Sequence, residues 1–213
     1  MTKVNYNNWY EYYNSYEDSI DMVDTNADRN DNIDARKIDY PMDIRGGKGN
    51  DTIYGSKNHI NRLYGDYVWD LWGDVPEYFY NSFSGNDKIY GGNKSDYIQG
   101  GLGNDLINAG KGTNIIMFKK GDGNDTVYQT SGKDYFYFCD TTFAELKYER
   151  RNDDLIIHYG NNDTVTVENH YNSAFGSSFK GIADSSCIIL YLILTSALQC
   201  QDCVCGHASS GGG

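Results

Sequence analysis

Aspartate recurs at a fixed interval in the middle of this chain, each time just behind a glycine-rich turn. Asp87, Asp96 and Asp105 stand nine residues apart, and Asn114 takes the next place. After a slip of two residues, Asp125 and Asp134 are again nine apart. An earlier run, GGKGNDTIYG from Gly46 to Gly55, sets Asp51 in the same surroundings. Carboxylates on a regular spacing, beside backbone loosened by glycine, suit the holding of a hard cation. Stacked loops would bring the carboxylates into a column, where two charges 4 Å apart repel by about 1 kcal/mol in water and by more as the site dries. Ca²⁺ relieves that repulsion well, because it takes about six to eight oxygens, backbone carbonyls included, in a flexible geometry. Mg²⁺ demands a stricter octahedron and keeps its waters. Zinc prefers Cys and His, and none of these units carries either.

The elements that must position these residues are short strands. Two places beyond each aspartate, or its asparagine substitute, comes an apolar or aromatic side chain: Ile53, Ile89, Ile98, Ile107, Ile116, Val127 and Phe136. Each unit therefore reads as a glycine-permitted turn followed by a three-residue strand with one inward side chain. Such a strand buries nothing alone, so the units must stack as a solenoid. Two nine-residue units make one coil, with loops along both edges. An ion that closes these loops contributes its binding energy to folding.

The units resemble the RTX, or haemolysin-type calcium-binding, nonapeptide repeat G-G-x-G-x-D-x-U-x. Gly46 to Tyr54 and Gly100 to Asn108 fit every position. Gly91 to Gln99 departs at Lys94, and Ala109 to Met117 has Asn114 for the aspartate. The resemblance implies an all-β fold, a parallel β-roll, in which one aspartate and that of the unit two further on share a calcium. Asp87 then pairs with Asp105, and Asp96 with Asn114; the slip leaves the pairing of Asp105 with Asp125 open. The ligands so implied are Asp51, Asp87, Asp96, Asp105, Asp125 and Asp134. Around them stand Gly47, Gly49 and Asn50, then Gly85 and Asn86, then Gly92. Gly101, Gly103 and Asn104 follow, and last Gly123 and Asn124. Residues 118–171 resemble the haemolysin-type calcium-binding related domain that follows such repeats in secreted bacterial proteins.

Four segments are expected. Residues 1–45 form a polar N-terminal segment. Within it, Asp24, Asn26, Asp28 and Asn30 mimic the first ligands of an EF-hand, but Arg29 stands where the loop needs glycine and Ala35 where it needs glutamate. A solvated loop or a degenerate repeat suits that stretch better. Residues 46–138 form the β-roll, interrupted at about 66–83 by an insert carrying Trp69, Trp72 and Phe79, read as a lid or a partner patch. Residues 139–175 form an antiparallel β cap: Leu146, Tyr148, Leu155, Ile157, Tyr159, Val165 and Val167 alternate on one face, and solenoid ends need covering. Residues 176–213 form a divergent tail. Its apolar run of twelve, Cys187 to Leu198, is short of the about 20 residues a membrane helix needs. Its Cys200, Cys203, Cys205 and His207 are too tightly spaced to wrap a zinc ion easily.

The chain has 30 acidic and 18 basic residues, a formal net charge of -12. That excludes nucleic acid and an anionic membrane surface as natural partners and suits a holder of cations. Twenty tyrosines fit a packed or adhesive surface. The opening residues lack the apolar core of a cleaved leader. His59, His158, His170 and His207 are scattered, and no nucleophile elbow or zinc-protease motif occurs, so no enzyme is expected. The resemblance implies a calcium-binding protein or module, secreted through a type I apparatus and folded by Ca²⁺ outside the cell. Two alternatives stand beside it. One is the C-terminal secretion and calcium module of a haemolysin-like toxin, bacteriocin or exoenzyme. The other is an extracellular adhesion or surface-layer component that self-associates or meets a host surface through its aromatic insert.

Overall fold

The computed structural model describes residues 4–6, 9–14, 19–24, 29–66, 84–128, 131–172 and 178–183, the first three segments as backbone only. The aromatic insert beyond Asp66 and the Cys-containing end of the tail lie outside these residues, as do residues 25–28 of the EF-hand-like stretch.

The described chain is built of strands. They run β1 (Val4–Tyr6), β2 (Trp9–Asn14), β3 (Ser19–Asp24), β4 (Asn32–Asp34), β5 (Met42–Arg45), β6 (Thr52–Tyr54), β7 (Asn61–Tyr64), β8 (Lys88–Tyr90) and β9 (Tyr97–Gln99). After these come β10 (Leu106–Asn108), β11 (Thr113–Phe118), β12 (Asn124–Val127), β13 (Lys133–Phe138), β14 (Lys147–Arg151), β15 (Asp154–His158), β16 (Thr164–Val167) and β17 (Phe179–Ala183). From β4 to β13 the chain alternates between two sheets. Odd strands join a nine-stranded sheet, ordered β1-β2-β3-β5-β7-β9-β11-β13-β17, and even strands an eight-stranded one, ordered β14-β15-β16-β12-β10-β8-β6-β4. Strands of successive coils pair in parallel. This is a parallel β-roll with antiparallel strands at its ends.

The core is two ladders of inward residues. In the even sheet Ile33, Ile53, Ile89, Ile107, Val127 and Val167 stand in register. In the odd sheet the ladder is Ile44, Leu63, Ile98, Ile116, Phe136 and Ile182. Most of these side chains are fully buried. Each one contributes about 1.5–3 kcal/mol on leaving water, but a three-residue strand supplies only one.

The roll begins earlier and ends later than the perfect repeats. β4 and β5 lie within residues 1–45. The stretch Asn30-Asp31-Asn32-Ile33 copies Asn50-Asp51-Thr52-Ile53 without its glycines, and it stacks on that coil. From Arg29 on, the described part of this stretch builds a degenerate repeat; Asn26 and Asp28 lie outside the described residues. At the other end β17 extends the odd sheet in parallel with β13. The two-residue slip is absorbed in a turn at Lys119–Asp122, closed by the Asp122 N–H donating to the Lys119 carbonyl.

Residues 147–167 form three antiparallel strands, with β16 laid parallel on β12. Leu146, Leu155, Ile157, Tyr159, Val165 and Val167 join the core. Tyr148 does not: β14 is the outermost strand, with a partner on one side only, and all five of its residues face solvent.

Candidate metal centre

Two rows of loops edge the roll, and they differ in chemistry. On the first, each aspartate amide donates to the carboxylate of the next coil. Asp31 N–H reaches Asp51 Oδ1 at 2.7 Å, and Asp51 N–H reaches Asp87 Oδ1 at 2.7 Å. Asp87 N–H reaches Asp105 Oδ1 at 2.8 Å, and Asp105 N–H reaches Asp125 Oδ1 at 3.0 Å. The column thus runs unbroken from Asp31 to Asp125, across the slip, and Asp51, Asp87, Asp105 and Asp125 are each at most 2% exposed.

One oxygen of each of the Asp51, Asp87, Asp105 and Asp125 carboxylates is engaged in this way. The Oδ2 atoms of Asp31, Asp87 and Asp105 are buried without a hydrogen-bond donor. Such oxygens are costly in a dry site. Elsewhere the chain handles a buried carboxylate differently: Asp43 has the Arg45 guanidinium at 2.9 Å and that of Arg62 at 3.9 Å. Side chains answer the two ends of the column. Arg29 pairs with Asp31 at 3.3 Å, and the Tyr159 hydroxyl donates to Asp125 Oδ2 at 3.4 Å.

Glycine shapes the space beside the Oδ2 oxygens. A Cβ on Gly65 would collide with Asp87 Oδ2 and the Gly100 carbonyl, and one on Gly46 with Asp51 Oδ2 and the Gly65 carbonyl. Each slot is therefore walled by a carboxylate oxygen of one coil and a carbonyl oxygen of the next. Farther out, Gly85, Gly103 and Gly123 lie so close to the previous coil's glycine carbonyl that no side chain fits. Gly103 also adopts a φ of 145°, which L residues avoid.

The neighbouring asparagines do something else. Asn86 N–H donates to Asn50 Oδ1, Asn104 N–H to Asn86 Oδ1 and Asn124 N–H to Asn104 Oδ1, at 2.7, 2.7 and 3.0 Å. These side chains are exposed and form an outer ladder that holds the coil spacing.

The opposite edge is built with amides. Asp96 Oδ1 accepts both the backbone N–H and the Nδ2 of Asn61 at 2.8 Å, and its Oδ2 accepts the Gly92 N–H at 2.7 Å. Asp96 N–H donates to Asn114 Oδ1 at 3.0 Å, and Asn114 Nδ2 donates to Asp134 Oδ1 at 2.8 Å. Asparagine and aspartate alternate here, and the amides supply the donors.

Without a cation the acidic column is held toward its protonated form. Burial, then the Asp51 and Asp105 charges, push the Asp87 carboxyl up to about 8 despite the amide it accepts. Burial raises Asp105 to about 7 and lifts Asp125 well above the carboxylate range, the latter with help from the Asp105 charge.

Two buried carboxylates join this edge without standing in its column. Asp66 follows β7 and Asp122 precedes Gly123; each is 4% exposed. Sequence reasoning passed over both, and Asp31 with them. The signals were present: Asp31 sits in Asn-Asp-x-Ile, Asp66 occupies a repeat glycine's place after Tyr64-Gly65, and Asp122 lies inside Gly-Asp-Gly-Asn-Asp.

The donors are all oxygens, and no three Asp, Glu, His or Cys side chains among the described residues gather tightly enough to hold an ion alone. Backbone carbonyls must complete the shell, as Ca²⁺ allows. Fold and site together define a cation-binding β-roll. Residues 43–58 and 82–116 match the RTX calcium-binding nonapeptide repeat, in four copies. The chain carries RTX repeats, and these are calcium-binding units. No curated protein matches the chain. No helix among the described residues is long and apolar enough to cross a membrane.

Proposed function

We propose that this calcium-binding RTX module takes its ions along the edge of Asp31, Asp51, Asp87, Asp105 and Asp125, and that Ca²⁺ outside the cell drives its folding. The observation that carries the reading is the set of buried carboxylate oxygens on Asp87 and Asp105 that no protein donor reaches. When bound, the ion supplies the positive charge that edge lacks. The aspartates contribute carboxylate oxygens, and the loops of Gly47, Gly49, Gly85, Gly101, Gly103 and Gly123 bring main-chain oxygens near. Asn50, Asn86, Asn104 and Asn124 set the spacing. Asp96, Asp134 and Gly92 serve the opposite edge.

Calcium is scarce in the cytosol and abundant outside. A chain whose acidic edge lacks its counter-charge until calcium arrives is only marginally folded inside the cell, can be threaded through a type I secretion apparatus, and completes its fold on emergence. The role is binding and folding rather than catalysis. Far-UV circular dichroism during a calcium titration of chelator-treated protein, with magnesium as control, tests this. A gain of β-signal with calcium alone is expected. An unchanged spectrum, or an equal response to magnesium, overturns calcium-driven folding.

A further inference from the structure

Asp66 stands where the repeat has its second glycine. Gly47 N–H donates to the Gly65 carbonyl, and one coil on, Asp66 N–H donates to the Gly100 carbonyl. The two residues hold equivalent places, yet Asp66 carries a carboxylate into the loop column. That side chain lies over Gly101, where a Cβ would meet it, and its Oδ2 accepts the Leu102 N–H at 2.6 Å. Its Oδ1 is buried with no hydrogen-bond donor, in a residue 4% exposed.

The surroundings point to what that oxygen faces. Asp87 Oδ2 borders Gly65, beside the Gly100 carbonyl, and Asp105 Oδ2 borders Gly100. Both of these oxygens also lack donors. Gly65, Gly100 and Gly101 thus border the carboxylates of Asp87, Asp105 and Asp66 in turn, the first and last from the β7–β8 connection and the second from the next coil. Water could donate to one such oxygen, but only a cation lets all three carboxyls ionise together.

We propose that Asp66 is an added ligand to a divalent cation held between Gly65 and Gly100–Gly101, which makes this calcium site tighter than the sites whose loop carries glycine at that place. The proposal rests on the calcium reading above. Affinity in oxygen-ligand sites rises with the number of ligand charges, so one site stands apart from the rest.

Calcium titration by calorimetry, with melting in chelator, tests it on the full chain. Asp66→Asn keeps an acceptor for Leu102, and Asp66→Gly restores the repeat's own residue. The wild type should show one site tighter than the others, and both variants should lose about tenfold or more at that site alone. In chelator both variants should melt higher than the wild type, because the cost of burying that carboxyl is gone; a role limited to the Leu102 bond predicts the reverse for Asp66→Gly. Wild-type binding reproduced by both variants, or Asp66→Gly melting lower in chelator, overturns the proposal and leaves the calcium reading standing. No calcium binding by the wild type overturns both.

Discussion

The two edges of the roll share a backbone and differ in how each carboxylate is answered. Asp96 on the amide edge accepts three donors, two of them from Asn61. Asp105 on the acidic edge accepts the Asp87 amide at Oδ1 and leaves Oδ2 bare. One edge is completed by the protein; the other offers bare oxygens, which we propose an ion completes. The difference comes down to asparagine at 61 and 114, where the other column has aspartate throughout. An Asn side chain brings its own N–H₂ donor and no charge, so it does within the chain what a cation does between two aspartates. On the proposed function, calcium dependence is a property of an edge rather than of the whole roll.

The sharpest way to break that comparison is to remove charge from each edge in turn. Replacing Asp87 and Asp105 together by Asn should abolish calcium-induced β-signal at millimolar calcium. Asp105→Asn alone should weaken it by about tenfold, near 1.4 kcal/mol. Asp96→Asn should move the calcium midpoint by less than about twofold. Titration by circular dichroism reads all three, and equal effects of Asp96→Asn and Asp105→Asn would dissolve the distinction.

The reverse exchange comes next in size. Asn61 Nδ2 also donates to the Ser56 and His59 carbonyls, at 3.0 and 3.2 Å. Asn61→Asp removes those donors and sets a charge against Asp96. The ion-free protein should lose about 1–3 kcal/mol or more, seen as a lower melting temperature in chelator. Calcium should restore most of it, and Asn114→Asp should behave alike. If calcium rescues neither variant, the amides do not stand in for an ion.

Much of this was legible before any coordinates, because the repeat ties chemistry to geometry. Aspartate on a nine-residue period followed by an inward apolar residue gave the stacking, the two edges and the oxygen donor set. Less was legible where the pattern was worn. Asp31 lacks glycines around it, and its role rests on pairing with Asp51, a contact 20 residues away. Asp66 breaks the motif at a glycine, and only the stacked coils reveal that it points back toward Asp87 and Asp105. The identity of the self-sufficient edge was half visible: Asn114 marked a missing charge, but that its amide would bridge Asp96 and Asp134 depends on side-chain direction. Tyr148 was misplaced because alternation alone does not say which strand lies outermost.

Acidity offers a smaller, graded test. Asp66, Asp87 and Asp105 have folded-state pKa values raised to about 9, 8 and 7, burial being the first cause in each. Groups raised on folding stabilise the ion-free state fully below their unfolded value, near 3.8, and that stability is lost as pH rises through the folded values. Protein in chelator should therefore melt higher at pH 5 than at pH 8. Calcium should reverse the slope, because only the ionised carboxylates bind it well. A chelated protein whose melting temperature rises from pH 5 to pH 8 would mean that the column is not carrying this burden.

The smallest effect belongs to the end of the column. Asp125 has no aspartate beyond it: Val165 holds the next register place, and the Tyr159 hydroxyl closes the column with a bond of 3.4 Å to Oδ2. Burial and the Asp125 charge both raise the pKa of that phenol, so it stays a donor at any physiological pH. Tyr159→Phe keeps the ring packed against Phe118 and Phe138 and deletes only the hydroxyl. A long neutral bond of this kind is worth about 0.5–1.5 kcal/mol. The loss should fall on the chelated protein, where Asp125 has no other donor to Oδ2 of comparable placement, and should shrink when calcium is present. Equal losses in both states would mean that the hydroxyl serves the cap alone, and that the acidic column ends without a protein partner.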